Sequence, residues 1–260
     1  MFLAVLRIPD AADADARAEA ATGMARADVK RRLAGILPRV LLVAADRDEV
    51  DAARLRLEAA GFAALAFDPL LSPTDEDRIV ARSLDPGSDA LVVVSGVGEE
   101  TRHVVPWDAL ELCQRGTRHN MRLEKVKTSS LQLSVGRTLM AGGLPMMKNV
   151  ERTKIVPRGE DEPFVVLHRN DGGDDVILYE RRMDYAFLGA RLGPVSRANL
   201  DETLALLRAR ANVVADDRVG RAGFVSAIPA CSADPVDVAL HLVRLARRSA
   251  DGPQRSVTAR

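Results

Sequence analysis

Apolar and polar positions recur with two different periods over the first 70 residues. Residues 2–8 form a short apolar run of the kind that makes a buried strand. An Ala-rich stretch over residues 11–21 follows and has strong helix propensity despite its charges. Thr22-Gly23 interrupts it, because glycine ends a helix at little cost in a left-handed conformation. A second helix is expected over residues 27–34, with Val29 and Leu33 four apart on one face and Lys30, Arg31 and Arg32 mostly off it. Gly35 and Pro38 close it, and residues 39–43 read as another buried strand. Asp46 is placed to cap a helix running to about Ala60, with Val50, Ala53, Leu57 and Ala60 along one side. Gly61 ends that helix and residues 62–67 read as a third strand. The order β-α-α-β-α-β predicts an α+β domain, a three-stranded sheet with helices on one face. Val29, Leu33, Val50 and Leu57 are its expected core.

The texture then changes. Ser72-Pro73-Thr74-Asp75-Glu76-Asp77 is polar and broken by proline, so residues 71–84 are expected to form a linker. Short apolar runs follow at residues 90–94, 103–107, 109–113, 126–135, 164–167 and 176–179, each of strand type. Gly96-Val97-Gly98 and Asp171-Gly172-Gly173-Asp174 read as hairpin turns. A helix with Leu200, Leu204 and Leu207 on its apolar stripe closes the set near Arg210. Beyond residue 213 the chain reads as loop until Asp234-Pro235, which starts a helix carrying Val236, Leu240 and Val243 on one face. The last ten residues or so read as a flexible tail.

Two resemblances follow. The turn Thr22-Gly23-Met24, the helix with Asp28-Val29-Lys30, the break at Pro38 and the ending Glu58-Ala59-Ala60-Gly61 are similar to the C-terminal domain of the ribosomal stalk protein. The Clp protease adaptor ClpS has that same fold, and the likeness covers residues 2–68. Many short strands closed by one amphipathic helix over residues 85–212 resemble a pleckstrin-homology-like domain. Together these imply a βααβαβ domain over 1–70, a linker over 71–84, a β-rich barrel with a C-terminal helix over 85–212, and a terminal segment over 213–260. Both folds usually work by recognising surfaces, so the resemblances imply a bacterial, cytoplasmic protein-protein adaptor.

Composition narrows the class. The chain has 260 residues, 47% of them hydrophobic and 28% charged, which is ordinary for a globular protein. No apolar run approaches the roughly 18 residues needed to span a bilayer. The first residues lack a basic leader and read as a strand rather than a signal peptide. Cys113 and Cys231 stand far apart without metal spacing, which argues for a reducing compartment. The net charge of zero hides an asymmetry. Residues 1–100 carry twelve basic and eighteen acidic side chains, whereas residues 117–158 carry nine basic against two acidic. Arg118, Arg122, Lys125, Lys127, Lys148 and Lys154 are therefore the candidate anion- or partner-binding residues. The apolar stretch from Gly142 to Lys148, with Met146 and Met147, is either a docking tip or packed against the barrel mouth.

No phosphate-binding glycine loop, dinucleotide fingerprint, zinc motif or nucleophile elbow occurs. His103 and His168 fall on expected strands and read as structural, and His241 reads as packing or surface on the last helix. Asp174-Asp175 and Asp216-Asp217 read as solvated loop acids, because neighbours in sequence do not converge as an acid-base pair. No catalytic, cofactor-binding or metal-ligating residue is assigned, and no cofactor is expected. The function expected is a non-catalytic cytoplasmic adaptor or regulator with a protein partner. Anionic lipid or nucleotide binding at residues 117–158, or an enzyme with an unrecognised site in the second domain, are the alternatives. The charge total argues against a dedicated nucleic-acid binder.

Overall fold

The computed structural model describes residues 1–96, 98–133 and 147–251, with side chains outside 120–158 and position 251. Two compact units result: Met1–Thr117 with Pro163–Arg260, and Arg118–Glu162. The first mixes helices with two sheets.

The N-terminal elements follow the expected order: β1 (Phe2–Arg7), α1 (Ala14–Thr22), α2 (Arg26–Leu33), β2 (Arg39–Val43), α3 (Arg47–Ala59) and β3 (Ala63–Phe67). Gly23 ends α1 in the left-handed region at φ 71°, with its N–H on the Glu19 carbonyl. Asp46 caps α3 by accepting from the Asp48 N–H. The strands pair antiparallel in the order β2-β1-β3. Alternation on β1 sends Leu3 and Val5 toward the helices, where they meet Val29, Leu33, Val50 and Leu57. Phe2 and Ala4 point to the other face.

The second sheet has seven strands in the order β10-β7-β8-β9-β4-β5-β6. They are β4 (Ile79–Pro86), β5 (Ala90–Ser95), β6 (Thr101–Pro106), β7 (Leu110–Leu133), β8 (Met147–Arg169), β9 (Val176–Tyr179) and β10 (Val214–Asp216). Both expected hairpins form: β5 pairs β6 across Gly96 and Gly98, and β8 pairs β9 across Asp171–Asp174. Three expectations need correction. Residues 79–84 of the expected linker belong to β4, because Ile79, Ala81 and, past a register shift between Ala81 and Ser83, Leu84 enter the core. The described strands form a series ending at β10 and β6, with parallel pairs β4–β9 and β10–β7, where a barrel of short strands was expected. Strands β7 and β8 are long, and Gly116, Pro157 and Gly159 do not break them. In the Arg118–Glu162 unit, His119 Nδ1 lies 2.9 Å from Asp161, and Gly159 packs against the His119 ring where a Cβ would not fit.

Two further helices cover this sheet, α4 (Ser196–Arg210) and α5 (Pro235–Asp251). On β8 and β9, Val165, Leu167, Val176 and Leu178 share a core with Leu200 and Leu207 of α4. The intervening residues Phe164, Val166, Ile177 and Tyr179 pack instead on Val236, Ala239, Leu240 and Val243 of α5. Val238 and Leu242 of α5 reach the other way, to Phe2, Ala4, Val40 and Phe67. Helix α5 is thus the shared layer between the two sheets, not an appendage of the terminal segment. The helix starts where expected, with Asp234 accepting from the Val236 N–H and Pro235 at the first position.

Candidate functional site

A helix with apolar residues on two sides has little room for polar ones. In α5 four of them fall on one stripe, Asp237, His241, Arg244 and Arg248, spaced four, three and four, with Arg247 and Ser249 off it in the last turns. Arg78 Nη1 donates to Asp237 at 2.6 Å, and the two side chains are 1% and 4% exposed. The same guanidinium reaches Asp75 and the Pro73 carbonyl, and the Tyr179 hydroxyl donates to Asp75. Two turns further on, Arg244 donates to Asp175 at 2.8 Å, to the Arg169 carbonyl at 2.6 Å and to Glu111 at 3.2 Å. Arg248 reaches Glu111 at 2.7 Å.

His168 on β8 sits behind this stripe. Its Nδ1 is 2.7 Å from Asp175 Oδ2, and its Nε2 is 2.8 Å from the Gln114 side-chain oxygen. Asp175 Oδ1 accepts the Arg169 N–H at 3.0 Å. All three side chains are buried. Burial holds His168 below its ordinary pKa, against the pull of Asp175 and with help from the Arg244 and Arg78 charges. Burial opposes the charge on Asp175, yet the His168 hydrogen bond, Arg244 and the Arg169 N–H together hold its carboxyl below the usual range. A charged His168 would lower Asp175 in the same way, so the two directions pull the pair apart. Arg244 already balances Asp175, which leaves an ionised Asp175 beside a neutral His168. The imidazole then donates from Nδ1 and must accept at Nε2. That calls for Gln114 turned so that its amide nitrogen, which otherwise has no partner, donates to the ring.

A general base must reach a proton on its substrate. His168 cannot, because Gln114 closes Nε2 and Asp175 closes Nδ1. The arrangement therefore locks the β8–β9 hairpin to α5. His168 is structural, as its place on a strand suggested, but the solvated reading of Asp175 is corrected by this: Asp175 adjoins β9 and turns inward, its carbonyl accepting from the Ile79 N–H. Asp174 is exposed as expected, whereas Asp216 is partly buried against Arg218. His241 is half-buried near Phe67, and burial and nearby cations lower it to about 4. His103 Nε2 lies 2.9 Å from Ser95 Oγ, a nucleophile-base distance, but among the described residues no carboxylate pairs with His103 to orient it. Cys113 is buried, and burial pushes its thiol up to about 12, which makes it inert; Cys231 is exposed.

Of the candidate binding residues, Arg118 lies on β7 and is half-buried. The side chains of Arg122, Lys125, Lys127, Lys148 and Lys154, and the Gly142–Met146 stretch, lie outside the described residues. Among the described residues no group of three or more His, Cys, Asp or Glu comes together as a metal site, and no helix is long and apolar enough to cross a membrane. No family model, curated protein or solved structure matches the chain. The stripe on α5 is legible in the sequence as a polar period of about 3.6 running between two apolar faces; a reading that follows a single apolar face misses it.

Proposed function

We propose that the chain is a non-catalytic adaptor or regulatory protein that works in the cytoplasm by binding another protein. The observation that carries this reading is the state of His168. It is the described histidine with a carboxylate on one ring nitrogen and burial all round, and both its nitrogens are spent on fixing the fold. The six-element order and the antiparallel β2-β1-β3 sheet support a ClpS-like N-terminal part. The helix α4 against one face of the larger sheet supports a pleckstrin-homology-like remainder. Both folds commonly serve as recognition surfaces, and fold alone leaves the partner open. The test is co-purification from the native host, followed by reconstitution from purified components and a measured affinity. Saturable one-to-one binding with no turnover supports the reading. Turnover of any substrate that a folded Ser95→Ala variant loses would overturn it.

A further inference from the structure

Strand β2 is an edge of its sheet, and one of its residues presents its backbone to the open side. Met1 and Ala44 exchange both main-chain hydrogen bonds, Met1 N to the Ala44 carbonyl at 2.9 Å and Ala44 N to the Met1 carbonyl at 3.2 Å. In an antiparallel ladder the next pair, Phe2 with Val43, is then a non-bonded one. The N–H and C=O of Val43 accordingly point away from β1, over the open edge. The residue is 44% exposed. Leu41 is skipped in the register, and its carbonyl receives Arg32 Nη1 at 2.8 Å.

A groove of about 610 Å³ runs beside this edge. Met24, Leu42 and Val43 supply apolar surface, and Arg31, Arg32 and Arg39 supply charge, with no acidic side chain among the lining residues. Arg31 pairs with Asp28 outside the groove and stays 75% exposed, and Arg39 rests on the Gly223 carbonyl and near the Phe224 ring. An unpaired main-chain donor and acceptor, flanked by apolar contacts, match an added strand. Three guanidiniums with no carboxylate in the groove match acidic side chains on that strand. No aromatic ring lines the groove to stack a base.

We propose that this groove binds an extended acidic peptide segment of the partner protein, which pairs along β2 at Val43 and sets its carboxylates against Arg31, Arg32 and Arg39. The inference rests on the protein-binding reading above and names its site. Without a ligand, Arg32 covers the edge through the Leu41 carbonyl, the way charged residues protect edge strands. A carboxylate is the stronger acceptor and draws Arg32 off that carbonyl.

The test is fluorescence anisotropy with the full chain and a labelled peptide of about eight residues alternating Glu and Val, long enough to follow the strand. A Lys-Val peptide and a single-stranded homopolymeric RNA serve as comparison ligands. Saturable binding of the Glu-Val peptide is expected, weakened roughly tenfold or more by the Arg31→Glu, Arg32→Glu pair and by rising salt. Val43→Pro removes only an outward N–H and should weaken binding while leaving the thermal midpoint of the sheet intact. If Val43→Pro unfolds the chain, the arginine pair decides alone. Equal affinity of wild type and the arginine pair, no binding to wild type, or tighter binding of RNA would each overturn the inference. A native partner that binds the arginine pair as tightly as wild type would remove this groove while leaving the protein-binding reading in place.

Discussion

Arg78 and Asp237 meet at 2.6 Å inside the protein although 159 positions separate them in the chain. Arg78 stands just before β4, where the smaller sheet hands over to the larger, and Asp237 lies in the first turn of α5. The pair therefore fastens the handover to the helix both sheets share. Neither side chain has appreciable contact with water, so each charge depends on the groups that surround it, chiefly the other's field and, for Arg78, the Asp75 carboxylate as well.

Removing one partner of a buried pair costs more than removing both. Arg78→Ala should destabilise the protein by about 3 to 5 kcal/mol, because Asp237 keeps its charge without its guanidinium. The Arg78→Met, Asp237→Leu double variant should recover much of that loss. Urea unfolding of the three proteins checks it. The same single variant should open the segment before β4 to limited proteolysis, since Arg78 also holds the Asp75 carboxylate and the Pro73 carbonyl.

Stability should fall with acid in two separate windows. His168 and His241 both have folded pKa values below their ordinary 6.5, His241 at about 4. Below about 6.5 the unfolded chain takes up protons that the folded one refuses, so stability declines as pH drops, for His241 until about 4, by up to about 1.4 kcal/mol per histidine per unit. Asp175 is lowered instead, so its contribution is present above the carboxylate range and is lost only as pH falls below about 3.8. His241→Gln should remove one histidine's share of the slope in the upper window, leaving that of His168, and should leave the lower window unchanged. Urea midpoints measured from pH 7.5 to 3 would show both.

The N-terminal part was legible because its signals are local. Apolar spacing named Val29, Leu33, Val50 and Leu57, and all four are buried. The boundaries Gly23, Asp46 and Asp234 were legible for the same reason, since a cap is read from its own neighbours. The polar seam was not. Gln114, His168, Asp175 and Arg244 come from four places in the chain, and each has an ordinary surface explanation until pairing brings them together. Helix α5 was read on one face only, so Val238 and Leu242, which reach the smaller sheet, carried no meaning. Strand β10 has three residues, Val214, Ala215 and Asp216, too short for any alternation to show.

Leu33 and Arg31 should separate packing from charge on a single helix. Leu33 is buried among Val29, Leu41 and Leu57, whereas the Arg31 side chain is 75% exposed. Leu33→Ala should cost roughly 2 to 5 kcal/mol through lost contacts and a cavity. Arg31→Glu should leave the thermal midpoint where it is, because its pairing with Asp28 is made in water. Circular-dichroism melts of the two variants make the comparison, and an equal loss in both would show that α2 presents a different face to the core.

Gln114 should decide which way His168 titrates. In the wild type the neutral ring accepts at Nε2, so His168 lends stability at neutral pH and loses it as protons are forced on. Gln114→Leu removes the group facing Nε2 and leaves a buried acceptor without its donor, at a cost of about 1 to 3 kcal/mol. Gln114→Glu does something different. An ionised carboxylate 2.8 Å from Nε2 can be satisfied only by an N–H there, so the ring must carry two protons, with Asp175 holding the one on Nδ1. The folded pKa of His168 then rises above its unfolded value. The sign of the linkage reverses: the contribution is fully present below about 6.5 and is lost as pH climbs through the raised folded pKa. Imidazole nitrogen shifts read this directly by NMR. Wild type should show one protonated and one bare ring nitrogen at pH 7, and Gln114→Glu should show two protonated ones. Two protonated nitrogens in the wild type would mean that Asp175 and His168 form a true ion pair and that Gln114 faces the ring with its oxygen.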